Sequence, residues 1–293
     1  MKRIIVLLLV ITIYLSAAND KGLFWKVKDV NGNDKVFLLG SVHVVPDDMY
    51  PLKEEIETSY EKSDFLVVEA DAANIDMAKV QQLTIQKGMY AGGKTLKSEI
   101  PEDLYKKLGE ELKKTGMITI ELAGGMKPWL ITLTLAQLQL MKMGLNLENG
   151  IDMHFLKLAK DKKKILELES AAFQIELLSG FSDEMQIEFL KSSVEESSNM
   201  KDKFNGMLEA WKKGDAKEMV KIIKEEYVGK PKLKPLYDKL IGDRNVTMTD
   251  KILTYLNDKT DKKYFVVAGA GHMIDKGGIV DILSKKGFKV EQR

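Results

Sequence analysis

Apolar positions along this chain recur in two rhythms, one of period two and one near three and a half. Residues 23–29 alternate as Leu-Phe-Trp-Lys-Val-Lys-Asp, and residues 35–39 return as a second apolar run. Asn31-Gly32-Asn33-Asp34 stands between them, so the pattern predicts a β-hairpin. Phe65-Leu66-Val67-Val68-Glu69, Ile165-Leu166-Glu167-Leu168-Glu169 and Tyr264-Phe265-Val266-Val267-Ala268 are short β-prone runs with helical patterns on either side. Each predicts a strand. Helices are expected over 51–63, 77–87, 101–114, 128–144, 151–160 and 274–285, with a closing short strand at Phe288-Lys289-Val290.

No strand pattern occurs between residues 183 and 258. Phe189, Met200, Phe204, Met207, Leu208 and Trp211 recur there at helical spacing, which reads as core packing, and Asp215 suits an N-cap. The expected fold class is α/β with some α+β character. A central mixed sheet is flanked by helices and carries a largely helical insertion at about 183–258. Residues 128–144 are the most apolar internal stretch, but Thr132, Thr134, Gln137 and Gln139 interrupt them too often for a membrane span. A core or pocket-lining helix is the better reading.

The N-terminus reads differently. Lys2 and Arg3 precede twelve apolar residues from Ile4 to Leu15, and Ser16-Ala17-Ala18 supplies small residues. This is the pattern of a signal peptide over residues 1–18, cleaved after Ala18, and it points to export into a periplasmic or extracellular space. Residues 19–293 are expected to form a single domain. Membrane contact would come only through an uncleaved N-terminal segment. The chain has no cysteine, so disulfides play no part. Its formal net charge is +1, and losing Lys2 and Arg3 leaves it near neutral. That removes bulk electrostatics as a reason to expect nucleic acid as a partner.

Only three histidines occur, and two of them share a setting. Gly40-Ser41-Val42-His43 and Gly269-Ala270-Gly271-His272 each follow an apolar run. Glu69 and Glu169 end two further runs. In open α/β sheets, ligands gather outside the carboxyl ends of parallel strands. Imidazole and carboxylate together suit a divalent Zn, Mn, Fe or Co ion. The residues alone leave two readings open: one shared metal site, or separate loop residues with ordinary hydrogen bonds. Asp152 is expected at the positive end of the 151–160 helix as a capping residue. His154 is as well placed for packing as for a pocket. Arg244 could stabilise an oxyanion, bind a substrate carboxylate, or pair with Glu69 or Asp71. Ser41 is not in a nucleophile elbow, and neither a P-loop nor a dinucleotide fingerprint is present.

The order of several short motifs resembles the TraB/GumN family, which includes the Tiki ectodomains and is distantly similar to erythromycin-esterase-like and ChaN-like proteins. The motifs run from Leu39-Gly40-Ser41-Val42-His43 through Val67-Val68-Glu69-Ala70-Asp71, Lys127-Pro128-Trp129 and Gly150-Ile151-Asp152-Met153-His154-Phe155. They continue with Leu168-Glu169-Ser170 and Gln174, Trp211-Lys212-Lys213-Gly214-Asp215, Arg244-Asn245 and Gly269-Ala270-Gly271-His272. Tiki proteins are described as metal-dependent proteases with two Gly-x-x-His motifs and an intervening glutamate. The resemblance therefore implies metal ligation by His43, Glu69 and His272. Glu69, Glu169 and Arg244 are the candidate catalytic residues, with Glu169 open between ligand, supporting partner and base. The expected function is an exported, peptidase-like, metal-dependent hydrolase acting on a peptide or small molecule. The alternative is an exported binding or regulatory protein that sequesters such a ligand without turnover.

Overall fold

The computed structural model describes residues 22–225 and 229–293. The expected signal peptide lies outside the described residues. Strands β1 (Phe24–Lys28), β2 (Asp34–Ser41), β3 (Phe65–Val68), β4 (Lys164–Glu167), β5 (Tyr264–Gly269) and β6 (Val290–Gln292) form one mixed sheet in the order β4-β3-β5-β2-β1-β6. The β4, β3, β5 and β2 quartet is parallel, while β1 pairs antiparallel with β2 and with β6. This is the α/β class expected from short β-prone runs interleaved with helical patterns.

The hairpin joining β1 to β2 turns on Asp29, whose Oδ1 accepts from the N–H groups of Asn31 and Asn33. The central strands are covered on both faces, so they read as continuous apolar runs rather than alternating ones. All six residues of β5 are buried. On one side, α1 (Glu54–Glu61) and α6 (Ile151–Ala159) bring Tyr60 and Phe155 onto Phe265, with ring centroids 5.5 and 4.8 Å away. Met248 and Ile252 of α12 (Asp243–Leu256) and Leu283 of α14 (Ile279–Lys285) complete the same core.

The remaining helices build a second layer beyond the strand ends. They are α2 (Met77–Gly88), α3 (Leu96–Glu99), α4 (Glu102–Thr115), α5 (Pro128–Lys142), α7 (Ala171–Ser179), α8 (Asp183–Glu196), α9 (Met200–Lys213), α10 (Ala216–Glu225) and α11 (Lys234–Tyr237). Leu104, Leu108 and Leu112 of α4 meet Ile131 and Leu135 of α5 and Leu190 of α8 in a core of their own. Between β4 and β5 the described residues contain helices and no strand. Trp211 ties the layers together by donating from Nε1 to the carbonyl of Gly40 at 2.5 Å.

The boundaries differ most from expectation near the C-terminus, where the closing strand expected at 288–290 lies at Val290–Gln292. The helix expected at 274–285 begins only at Ile279, and His272 sits in a separate helical turn, α13 (Ala270–Met273). Asp275 and Gly277 hold φ of +73° and +85°. Left-handed backbone cannot continue a right-handed helix, so the turn is isolated. Among the described residues no helix is long and apolar enough to cross a membrane, and α5 (Pro128–Lys142) buries Trp129, Ile131 and Leu135.

Candidate functional site

Because β2, β3, β4 and β5 are parallel, their carboxyl ends deliver His43, Glu69, Glu169 and His272 to one edge of the sheet. The β3–β4 pairing runs on past the strands, with Glu169 N–H donating to the Glu69 carbonyl at 2.7 Å. That contact sets the two glutamates side by side.

Glu69 is the hub. Its Oε1 accepts the N–H of Gly269 at 2.6 Å and its Oε2 accepts from Arg244 NH2 at 2.7 Å. Gln174, one turn into α7, reaches the same Oε2 at 3.4 Å. Burial alone would raise the Glu69 carboxyl, but His272, His43, Arg244 and the Gly269 N–H together hold it below its ordinary value. Arg244 grips Glu169 as a fork, Nε to Oε1 at 2.9 Å and NH2 to Oε2 at 2.7 Å. Its NH1 donates to the Leu240 carbonyl at 2.9 Å, inside the π-helical turn Asp238–Gly242 that precedes α12. Arg244 is thus an ion-pair partner of both Glu69 and Glu169, and Asp71 is not among its partners here.

His272 is 4% exposed, and its Nδ1 lies 2.7 Å from Oδ1 of Asn245. Asn245 donates from Nδ2 to the Gly277 carbonyl at 2.9 Å, which fixes its amide so that Oδ1 faces the ring. An acceptor there requires the proton on Nδ1, leaving a lone pair on Nε2, 3.9 Å from Glu69 Oε1. Burial pushes the ring down to about 4, against the pull of Glu69, so His272 is neutral at physiological pH.

His43 has the opposite character. Its Nδ1 is 2.9 Å from Oδ2 of Asp152, while Oδ1 of the same carboxylate accepts from Ser41 Oγ at 2.7 Å. The Asp152 charge and hydrogen bond lift His43 to about 9, outweighing its desolvation. The side chain is 67% exposed and lines a cavity. Asp152 lies in the first turn of α6, at the positive end expected of it, with Gly150 at the N-cap, and its carboxylate turns to His43 as well. Gly150 is there because of crowding: a methyl group added to it would lie 2.2 Å from the His43 carbonyl oxygen. That close approach, with Ile151 N–H donating to the Val42 carbonyl at 3.1 Å, is what carries Asp152 to His43.

The two Gly-x-x-His turns and Glu69 meet around Gly269. A methyl group there would stand 3.2 Å from Glu69 Oε1, 3.6 Å from His43 Nε2 and 3.7 Å from His272 Cδ2. The donors are of the kind that hold Zn, Mn, Fe or Co, and each imidazole is anchored through Nδ1 as metal-bound histidines are. Their spacing is not that of a closed shell. Among the described residues no group of three or more His, Asp or Glu side chains is arranged to hold a metal ion. Glu169 lies behind this point, both oxygens taken by Arg244. His154 is elsewhere, its ring stacked on Tyr50 at 4.3 Å. Ser41 donates to Asp152 and, among the described residues, bonds to no histidine.

Asp152 and Asn245 are the supporting residues whose parts in the site were not read from the sequence. Each is distant in the chain from the histidine it orients, so spacing carries no signal of either contact.

The geometry can be set beside known proteins. YbaP of Escherichia coli (strain K12), an uncharacterized protein, is 26% identical over 262 residues, 88% of this chain and 92% of its own length. Two shorter matches are the metalloprotease TIKI homolog of Nematostella vectensis, 39% identical over 54 residues, and metalloprotease TIKI2 of Xenopus tropicalis, 35% identical over 52 residues. Each of these covers 18% of this chain, and only 12% and 10% of the respective relative. No solved structure gives a significant match. The TraB/PrgY/gumN family model matches residues 23–292, from the start of β1 to the end of β6, and the chain belongs to that family.

Proposed function

We propose that the chain is an exported, metal-dependent hydrolase that adds water to an ester or amide carbonyl beside His43, Glu69 and His272. The observation that carries this reading is the meeting of two imidazole edges and one carboxylate around Gly269, at the open ends of parallel strands. The short matches to two metalloproteases support it, and the basic, apolar N-terminal pattern supports export. His43, Glu69 and His272 would hold a divalent cation, which when bound lowers the pKa of water and polarises a carbonyl.

The protein's own groups supply the rest. Asp152 and Asn245 hold the imidazoles by Nδ1 so that both Nε2 atoms turn inward. Glu69, held ionised against its burial by His272, His43, Arg244 and the Gly269 N–H, accepts the proton of the attacking water. That proton passes to the leaving oxygen or nitrogen as its bond to the carbonyl carbon breaks.

A second reading, retention of a ligand without turnover, is favoured by one observation: both Glu69 oxygens are already engaged by Gly269 and Arg244. Purified protein loaded in turn with Zn, Mn, Co and Fe, and assayed on a broad ester and amide library, separates the two. Turnover with at least one metal, abolished by a chelator and by His43→Ala, is expected. Metal retention with no hydrolysis of any library member would move the conclusion to sequestration.

A further inference from the structure

We propose that the substrate carries a long aliphatic acyl chain, held in the helical layer with its ester or amide carbonyl at the His43–His272 end. The position of the carbonyl rests on the hydrolase reading; the chain-binding cavity does not. A cavity of about 790 Å³ opens from His43, Glu69 and His272 into the second layer, within the size range of sites that enclose small ligands. Its walls are apolar, with Leu133 of α5, Leu177 of α7, Phe189 of α8, Met207 of α9, Ile223 of α10 and Leu236 of α11 among them.

What distinguishes an acyl chain from an apolar peptide is the state of the polar groups in those walls. Thr132 donates to the Pro128 carbonyl, and Gln139 donates to Ser197. Ser192 accepts from Lys230, and Glu196 is held by Lys203 and Lys230. Beyond the strand-end residues Ser41–Val44, Glu69 and Gly269 at the site itself, the walls are mostly helical, with backbone groups bonded within the helix, and among the described residues no unpaired strand edge runs along the space. A peptide entering it would strip its own N–H and C=O groups of water without replacing them. Each such loss weakens binding by roughly an order of magnitude. A hydrocarbon chain loses nothing polar and strengthens binding roughly fourfold for each methylene buried. Methionine in the wall lets it adapt to a flexible chain.

The test is calorimetric binding of linear fatty acids, from butyrate to palmitate, to the full protein, beside the apolar peptide tetraleucine. Affinity should rise about fourfold per methylene until the cavity is filled, and tetraleucine should bind more weakly than a fatty acid of equal apolar area. Ala136→Trp, which fills the cavity from α5, should stop the rise at a shorter chain. Phe189→Ala should let it continue to a longer one, and carries the test alone if the tryptophan variant does not fold. A flat length profile, tighter binding of tetraleucine, or folded variants that leave the profile unmoved would overturn the proposal. Length-dependent binding with no hydrolysis would remove the hydrolase reading and leave this one standing. Turnover of acyl esters indifferent to chain length would do the reverse.

Discussion

Replacing Arg244 by alanine should be among the most damaging single changes in this protein, and the structure says by how much. The guanidinium is 11% exposed and pairs with two carboxylates, Glu69 at 11% and Glu169 at 4%. Its fork on Glu169 and its third contact on Glu69 are all 2.7–2.9 Å in their shorter bonds. Removing it strands two buried charges within one site, and breaking such a buried pair costs roughly 3–5 kcal/mol. Arg244→Lys keeps the charge but cannot form the fork, so its loss should be intermediate. Arg244→Ala combined with Glu169→Gln should be less costly than Arg244→Ala alone, because one stranded charge is gone.

The pH dependence follows from the sign of the Glu69 shift. Its folded value lies below 4.5, so the stabilisation is complete above that pH and is lost as pH falls through the folded value. The Arg244→Ala penalty should therefore be full at neutral pH and shrink in acid. Urea unfolding at several pH values measures this, provided the slope of the transition is unchanged. A loss under about 1 kcal/mol at neutral pH, the behaviour of a surface pair, would refute the reasoning.

Three other perturbations test separate parts of the site. Asp152→Asn should drop the His43 pKa from about 9 towards 6.5, read from the ring resonances in an NMR titration; an unmoved value would remove Asp152 as the cause. Because the folded value is raised, the stabilisation from the pair is complete below about pH 6.5. It is lost as pH rises through about 9, so the two proteins should converge in stability in alkali. Gly150→Ala places a methyl group 2.2 Å from the His43 carbonyl and should cost about 1–3 kcal/mol while shifting the His43 resonances; a neutral thermal melt would contradict the close approach. Trp211→Phe leaves the Gly40 carbonyl without its donor and should cost about 1–3 kcal/mol by denaturant unfolding, whereas a cost near zero would mean the bond does not join the layers.

Much of this was legible in the sequence, for an identifiable reason. His43, Glu69 and His272 each end or closely follow an apolar β-prone run, and parallel strands place such residues on one edge whatever the strand order. The helical character of the segment between β4 and β5 was equally readable from its apolar spacing. The supporting contacts were hidden because they join distant segments. Asp152 reaches His43 across 109 positions, and Arg244 reaches Glu169 across 75. From its local position Asp152 reads as a cap, since an acid in the first turn of a helix normally favours the positive end. The close approach of Gly150 to the His43 carbonyl brings that side chain within reach of the histidine and of Ser41. The late start of α14 was obscured by the apolar run from Ile279, while Asp275 and Gly277, both at positive φ, end the preceding turn.

The central claim is that His43, Glu69 and His272 act together as one metal-dependent centre. Titration of the metal-free protein with zinc and manganese, followed by calorimetry and by metal analysis after gel filtration, tests it most directly. The expected result is one tightly held ion per chain in the wild type, lost in His43→Ala and in His272→Ala, with both variants still folded. Retention of the same single ion by the His43→Ala, His272→Ala double variant would contradict the account.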